Sequence, residues 1–343
     1  MSDANEMMNG MKDTVNKAIS GTNKGTIAIV LMFIILFIVM YFIYLSVRQR
    51  KFNCDLIKSY PMLTLASLSQ DILKTPLHKT FIKTAYNCCC NGDLKNGYVD
   101  TCALTNCAKQ GVRALDFTIY SLHGEAVIGT STLTSKKYKE SYNSLPFTKT
   151  MTQVKQMFLY DTANCPNITD PLFLIFRIQS SNLKIYNQMG DALQSLFGHG
   201  NAAGNKLFKP SYTKPMDQEP ISSFKGRVIV MVDITGLNGY ENSSLAAITG
   251  LELGTMTNQI YRETEAFDLL DSGIAPNDFN VNVLYPDFSA KSNNFDYLTV
   301  GMKQKFQFIG LNFQMNDVYL SKYNEFFKSA IMKQPEPVVA TKK

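Results

Sequence analysis

The run TIAIVLMFIILFIVMYFIYLSV, residues 26–47, constrains this chain more than any other stretch, because it holds no charge, no Pro and no Gly. As a helix rising about 1.5 Å per residue it spans roughly 33 Å, which matches a hydrocarbon core about 30 Å thick. A buried helix of a water-soluble protein is normally shorter and keeps a polar face, so the run reads as one membrane span. A cleaved signal peptide fits less well: the preceding 25 residues are long and charge-balanced, and no small-x-small cleavage site ends the run. The expected organisation is an N-terminal tail (1–25), a transmembrane helix (26–47), a juxtamembrane segment (48–75), a main domain (76–333) and a C-terminal tail (334–343).

Lys12, Lys17 and Lys24 precede the span, whereas Arg48, Arg50, Lys51 and Lys58 follow it more tightly, which places the main domain on the cytoplasmic side. A net charge of +6 is mild and dispersed, and it argues against a nucleic-acid partner. Seven cysteines leave at least one unpaired within the chain, and a cytoplasmic domain keeps most of them reduced. Three adjacent cysteines at 88–90 and a CxxxxC at 102–107 lack the two close pairs of a structural zinc site. They are expected to be small buried hydrophobes, with no metal. Two N-x-S/T triplets, at Asn167 and Asn242, matter only if the domain faces a secretory lumen.

Strand-like runs recur as TFIKTA (80–85), VRALDFTIY (112–120), EAVIG (125–129), PLFLIFRI (171–178), RVIVMVDI (227–234), FNVNVLYP (279–286) and FQFIGLNF (306–313). They are rich in β-branched and aromatic residues and bounded by Gly, Pro, Asn or Ser. Helical stretches lie between them, such as residues 182–197, where Leu183, Tyr186, Met189, Leu193 and Leu196 share a face, and a last one over 318–331. This alternation, without a domain break, predicts one α/β unit of barrel size. KPSYTKPMDQEPISSF (209–224) reads as a surface loop, and GHGNAAG (198–204) follows a helix with the wrong spacing for a dinucleotide loop.

GVRALDFTIY (111–120), followed by EAVIGTSTLTSK (125–136), resembles the X region of phosphatidylinositol-specific phospholipase C. There a Gly-x-Arg-x-Leu-Glu-Leu-Asp strand precedes one ending in His-Gly and a Thr-x-Thr-Ser-Lys. PLHKTFIKTAYN (76–87) is similar to the family's first barrel strand, which ends in Ser-His-Asn. DPLFLIFRI (170–178) is similar to the later strand that ends in a glutamate, and SSFKGRVIV (222–230) to the strand closing the X region. LYPDFSAKSNNFDYL (284–298), which contains Ser292, and QFIGLNFQ (307–314) resemble blocks of the Y region. The resemblance covers about residues 76–333 and implies an α/β fold, a TIM-type (β/α)8 barrel of the phospholipase C-like kind, with its site at the C-terminal strand ends. Proteins that look like this, with AYNCC after the first strand, are suggested by large DNA viruses.

Members of that family cleave a phosphodiester with two histidines and usually a calcium ion, held by an asparagine, two glutamates and an aspartate. At the first histidine this chain has Tyr86, followed by a retained Asn87, and at the second it has Gly129. Asp116 stands for the first glutamate, Thr118 for the aspartate and Arg177 for the last glutamate. Gly129 has no side chain, and a tyrosine with an unperturbed pKa near 10 is a poor acid–base group at neutral pH. Arg177 puts a guanidinium where a calcium ligand belongs, free to pair with Asp116 or with a phosphate.

The resemblance therefore implies a membrane-anchored barrel with a degenerate active site, which binds phospholipid or phosphate or acts as a structural protein, through Asn87, Asp116, Thr118, Arg177 and Ser292, without cofactor. A second reading is an active phosphoric diester hydrolase on phosphatidylinositol-type lipids, with calcium and with His123 as the rescuing group, within hydrogen-bonding reach of Asp116 and Asn87. A scaffold whose polar cluster holds no ligand is a third. A viral protein linking an internal virion membrane to capsid proteins is a further one. The partners expected are a membrane, through 26–47, and an anionic phospholipid.

Overall fold

Segments such as LFLIFRI and VIVMVD are apolar on both faces, a pattern suited to parallel strands covered on each side. In the computed structural model, which describes residues 10, 12–13, 24–133, 138–198, 206–210, 215–273, 276 and 280–335, they build a nearly closed parallel barrel. Its strands are β1 (Thr80–Ala85), β2 (Ala114–Leu122), β3 (Leu172–Ile178), β4 (Val228–Asp233), β5 (Leu251–Leu253), β6 (Ile260–Arg262), β7 (Val283–Tyr285) and β8 (Phe308–Leu311). Each pairs with the next except β5 with β6, and β8 pairs back onto β1 with Ile82 opposite Phe308. Among the described residues β5 and β6 are not paired, so the barrel has one seam. This is the TIM-type barrel that the sequence implied.

The side-chain period of 2 sorts the strands into two layers. On β3, Leu172, Leu174 and Phe176 join a cluster with Met151, Val154 and Leu193 from helices α3 (Phe147–Leu159) and α4 (Leu183–Phe197). Phe173 and Ile175 point the other way, into a lumen shared with Ile82, Ile229, Met231, Val283 and Phe308. Just before β2, the fully buried Arg113 donates to the carbonyls of Pro171 (3.0 Å), Phe158 (3.0 Å) and Asp170 (2.6 Å). These bonds tie β2 to the entry of β3 and explain the Arg of the Gly-x-Arg motif.

The chain divides into two units, Met1–Phe52 and Asn53–Lys343. Helix α1 (Lys24–Lys58) holds the apolar run, and its most apolar 18-residue window has a mean hydropathy of 3.1 with no buried residue, long and apolar enough to cross a membrane. The helix does not stop at 47, since QRKFNCDLIK contains no Gly or Pro to end it. Of the residues expected to be juxtamembrane, 53–75 belong to the barrel unit, where Leu63 N–H bonds Lys109 O and Ala66 N–H bonds Lys328 O.

Four expectations need correction. EAVIG (125–129) is not a barrel stave; it folds back antiparallel on β2, with Thr118 opposite Gly129. The last helix, α6 (Val318–Phe326), is shorter than expected, and Ile331–Lys333 forms a strand antiparallel to β1. The buried face of α4 is Ile185, Tyr186, Met189, Gly190, Leu193 and Phe197, leaving Leu183 exposed. The cysteines are not all free: Cys54 is bonded to Cys102 in α2 (Thr101–Lys109), whereas Cys88, Cys89, Cys90, Cys107 and Cys165 are free and buried as expected. A sequence separation of 48 conceals that pairing. The segments 134–136, 199–205 and 211–214, including His199 and the end of the Thr-x-Thr-Ser-Lys block, lie outside the described residues.

Candidate ligand-binding cleft

The C-terminal ends of β1, β2 and β3 bring together five of the residues singled out in the sequence. β1 runs out into Tyr86 and Asn87, β2 carries Asp116 and Thr118, and β3 carries Arg177 opposite Thr118. Asn87 adopts φ 44°, a left-handed conformation that Asn tolerates better than most residues. Its N–H then donates to Asp116 Oδ2 (2.9 Å), and Thr118 Oγ1 donates to its side-chain oxygen (2.8 Å).

Arg177 closes this cluster. Nε donates to Asp116 Oδ1 at 2.8 Å, and Nη2 donates to Asp116 Oδ2 at 2.7 Å and to Asn87 Oδ1 at 3.0 Å. The guanidinium carbon lies 4.8 Å from the ring centre of Tyr86 and 5.2 Å from that of Tyr285. Burial works against its charge, but Asp116 and then Tyr86 outweigh burial and hold the Arg177 pKa well above its ordinary value. Burial first, then the same aspartate, raises the Tyr285 hydroxyl. The pair of tyrosines, 4.8 Å apart, rests on Gly310 of β8, where an added Cβ would come within 2.7 Å of the Tyr285 ring.

The oxygens that the resemblance assigns to calcium, on Asp116 and Asn87, thus all accept from Arg177. Calcium takes about six to eight oxygen ligands, and a guanidinium fixed among those available repels it. These residues do not fit that ion. The one group of metal-type side chains elsewhere among the described residues, Cys54, Asp100 and Cys102, has both sulfurs joined to each other.

Above the cluster lies a cleft of about 410 Å³, open at the mouth of the barrel and lined by Thr118, Tyr120, Arg177, Asp233, Arg262 and Phe288 among others. Burial pushes the Tyr120 hydroxyl up to about 12. Arg262, at the end of β6, was not evident in the sequence, since the short IYR strand carries no motif. Its guanidinium carbon stands 3.7 Å from the ring centre of Phe288, and Nη1 donates to Pro286 O (2.8 Å) and Tyr86 Oη (3.1 Å).

The other candidates fall elsewhere. At Gly129 an added Cβ would meet Lys139 and Ser141 at 3.2 Å, so the second histidine position is roofed by a loop. His123 sits at φ 51° in the exposed turn between β2 and residues 125–129, and neither Asn87 nor Asp116 hydrogen-bonds to it. His78 is buried at the opposite end of β1, with Nδ1 2.9 Å from Asp217 O. Ser292, expected in the pocket, instead donates to Gly92 O (2.8 Å) and accepts from Gln314 Nε2 (2.9 Å), because its loop is pinned to the loop after β1.

No protein-family model matches the chain. No curated protein sequence matches it. The structure is similar to the crystal structure of S. officinalis PLC21, with a TM-score of 0.62 and 15% identity, over 77% of this chain and 37% of that one. It is similar to L. pealei PLC21 with a TM-score of 0.59 and 14% identity, over 77% and 38%. A calcium-dependent phosphoinositol-specific phospholipase C from Pseudomonas sp. matches at a TM-score of 0.48 and 12% identity, over 79% and 99%. The fold is therefore a phospholipase C-like TIM barrel. The chain spans less than two fifths of the length of the two PLC21 proteins.

Proposed function

We propose that this chain is a membrane-anchored, phospholipase C-like protein whose barrel binds a phosphate-bearing headgroup without cleaving it. The observation that carries the proposal is Arg177, whose guanidinium is locked onto Asp116 and Asn87 where the family resemblance calls for a cation. Phosphodiester cleavage needs charge neutralisation of the phosphate and positioned proton donors and acceptors. Here Gly129 brings no side chain, and the Tyr86 hydroxyl is engaged by Arg262. Binding needs less. The Arg262 guanidinium faces the cleft, and its hydrogen-bond partners are neutral, so its charge is available to an anion.

The apolar helix supplies the anchor. The disulfide between Cys54 and Cys102 favours an oxidising side of the membrane for the barrel, against the expectation drawn from flanking charge. The test uses the full chain in detergent micelles, titrated with calcium and assayed on phosphatidylinositol in mixed micelles. The expected result is neither calcium binding at the cleft nor hydrolysis. Calcium-dependent hydrolysis that disappears on chelation would overturn the proposal.

A further inference from the structure

The cleft carries charge of both signs. Arg262 on β6 provides the positive end, held by the Phe288 ring and by two neutral oxygens. Asp233, the last residue of β4, provides a negative one: its Oδ1 accepts from the N–H of Thr235 at 3.0 Å. Both residues line the same cleft, and among the described residues neither is in an ion pair. The cleft's other acid, Glu265, accepts the backbone N–H of Arg262 at 2.7 Å and caps helix α5 (Glu263–Asp271). Arg177, its other cation, is spent on Asp116.

A headgroup of phosphate and uncharged hydroxyls would satisfy Arg262 and leave Asp233 facing an anion of like charge. A headgroup carrying a protonated amine beside its phosphate satisfies both at once, and this is how complementary charge sets specificity. The amine end can be defined further. A primary ammonium donates three hydrogen bonds and finds acceptors in Asp233, Thr235 and Gln179, which share the cleft. A quaternary ammonium donates none and is held instead by aromatic faces, and one face of Phe288 is taken by Arg262.

From this arrangement we infer that the cleft selects phosphate esters of the ethanolamine type, as a lipid headgroup or a free ester, over phosphate esters of polyols. The inference rests on the proposed binding function and narrows it. The full chain in detergent micelles is titrated with glycerophosphoethanolamine and with glycerophosphoinositol, a comparison that needs no variant. The expected preference for the first is about tenfold or more. Asp233→Asn, which keeps the side-chain shape, should abolish the preference by weakening the ethanolamine ester and relieving the repulsion on the inositol ester, and Arg262→Gln should weaken both esters.

Equal affinities in the unaltered chain would overturn the inference while leaving the phosphate-binding function in place. Binding of neither ester would overturn both. To separate the sources, glycerophosphoethanolamine is titrated into the full chain in nanodiscs of phosphatidylcholine with and without phosphatidylethanolamine. Weaker apparent binding in the presence of phosphatidylethanolamine identifies the lipid headgroup as the occupant, and unchanged binding identifies the free ester.

Discussion

Arg177 and Asp116, on neighbouring strands of the barrel, form a two-pronged ion pair, Nε to Oδ1 at 2.8 Å and Nη2 to Oδ2 at 2.7 Å, in a site almost closed to solvent. Removing one member strands the other as a buried charge, which costs about 3–5 kcal/mol. Arg177→Met should therefore lower the unfolding free energy of the full chain by about that amount. The double variant Arg177→Met, Asp116→Asn should recover much of the loss, because the orphaned charge is gone. Chemical denaturation of the four proteins completes the cycle, and additive effects would contradict the pairing.

The bond between Cys54 and Cys102 closes a long loop, and its loss should cost about 2–4 kcal/mol. Cys54→Ser and Cys102→Ser should each lower the thermal midpoint, and the double variant should fall no further. Peptide mapping without reductant should recover the linked pair.

Sidedness of the membrane can be read from the two glycosylation triplets. Asn242 is exposed, whereas Asn167 is buried and donates to Asp170 and to Gly111 O. Made in a cell with a secretory pathway, the chain should gain one glycan, lost in Asn242→Gln and unaffected by Asn167→Gln. A chain that never gains one would count against a lumenal barrel.

Lys83 of β1 is completely buried, its ammonium has no hydrogen-bond partner among the described residues, and burial lowers its pKa to about 7. In the unfolded chain a lysine holds its proton up to about pH 10.4. Between those values the unfolded state binds more protons than the folded one, so stability rises with pH, by at most about 1.4 kcal/mol per pH unit. Lys83→Met should be more stable than the parent at pH 7 and lose this slope. Thermal midpoints measured from pH 6.5 to 9.5 give the answer.

At Gly310 even a methyl group collides with the Tyr285 ring, on which Arg177 and Arg262 both rest. Gly310→Ala should cost about 1–3 kcal/mol through overpacking. It should also weaken ester binding, by tilting the tyrosine pair into the cleft. A stability loss with unchanged affinity would separate that packing from the site.

The long apolar strands were legible in sequence because burial on both faces writes itself as uninterrupted Leu, Ile, Val and Phe; β1 was read with its observed ends. The three-residue strands β5 and β6 were not, since LEL and IYR are too short to show a period and sit among polar residues. EAVIG had the composition of a barrel strand, and only its partner reveals it as the return arm of a hairpin. In the site, Asn87, Asp116, Thr118 and Arg177 could be named because they stand at strand ends inside recognisable blocks. Arg262 and Asp233 could not, because what brings them to one cleft is the curvature of the barrel wall rather than any spacing along the chain. The pairing of Cys54 with Cys102 was hidden for the same reason.

The strand Ile331–Lys333 sets Ile331 against Ile82, and β8 sets Phe308 against the same Ile82. During synthesis β1 is among the first parts of the barrel to emerge, yet it lacks both partners until residues beyond 331 have cleared the ribosome. The nascent protein therefore carries an open, apolar strand edge until those later residues emerge, which makes it a natural client for chaperones during that interval.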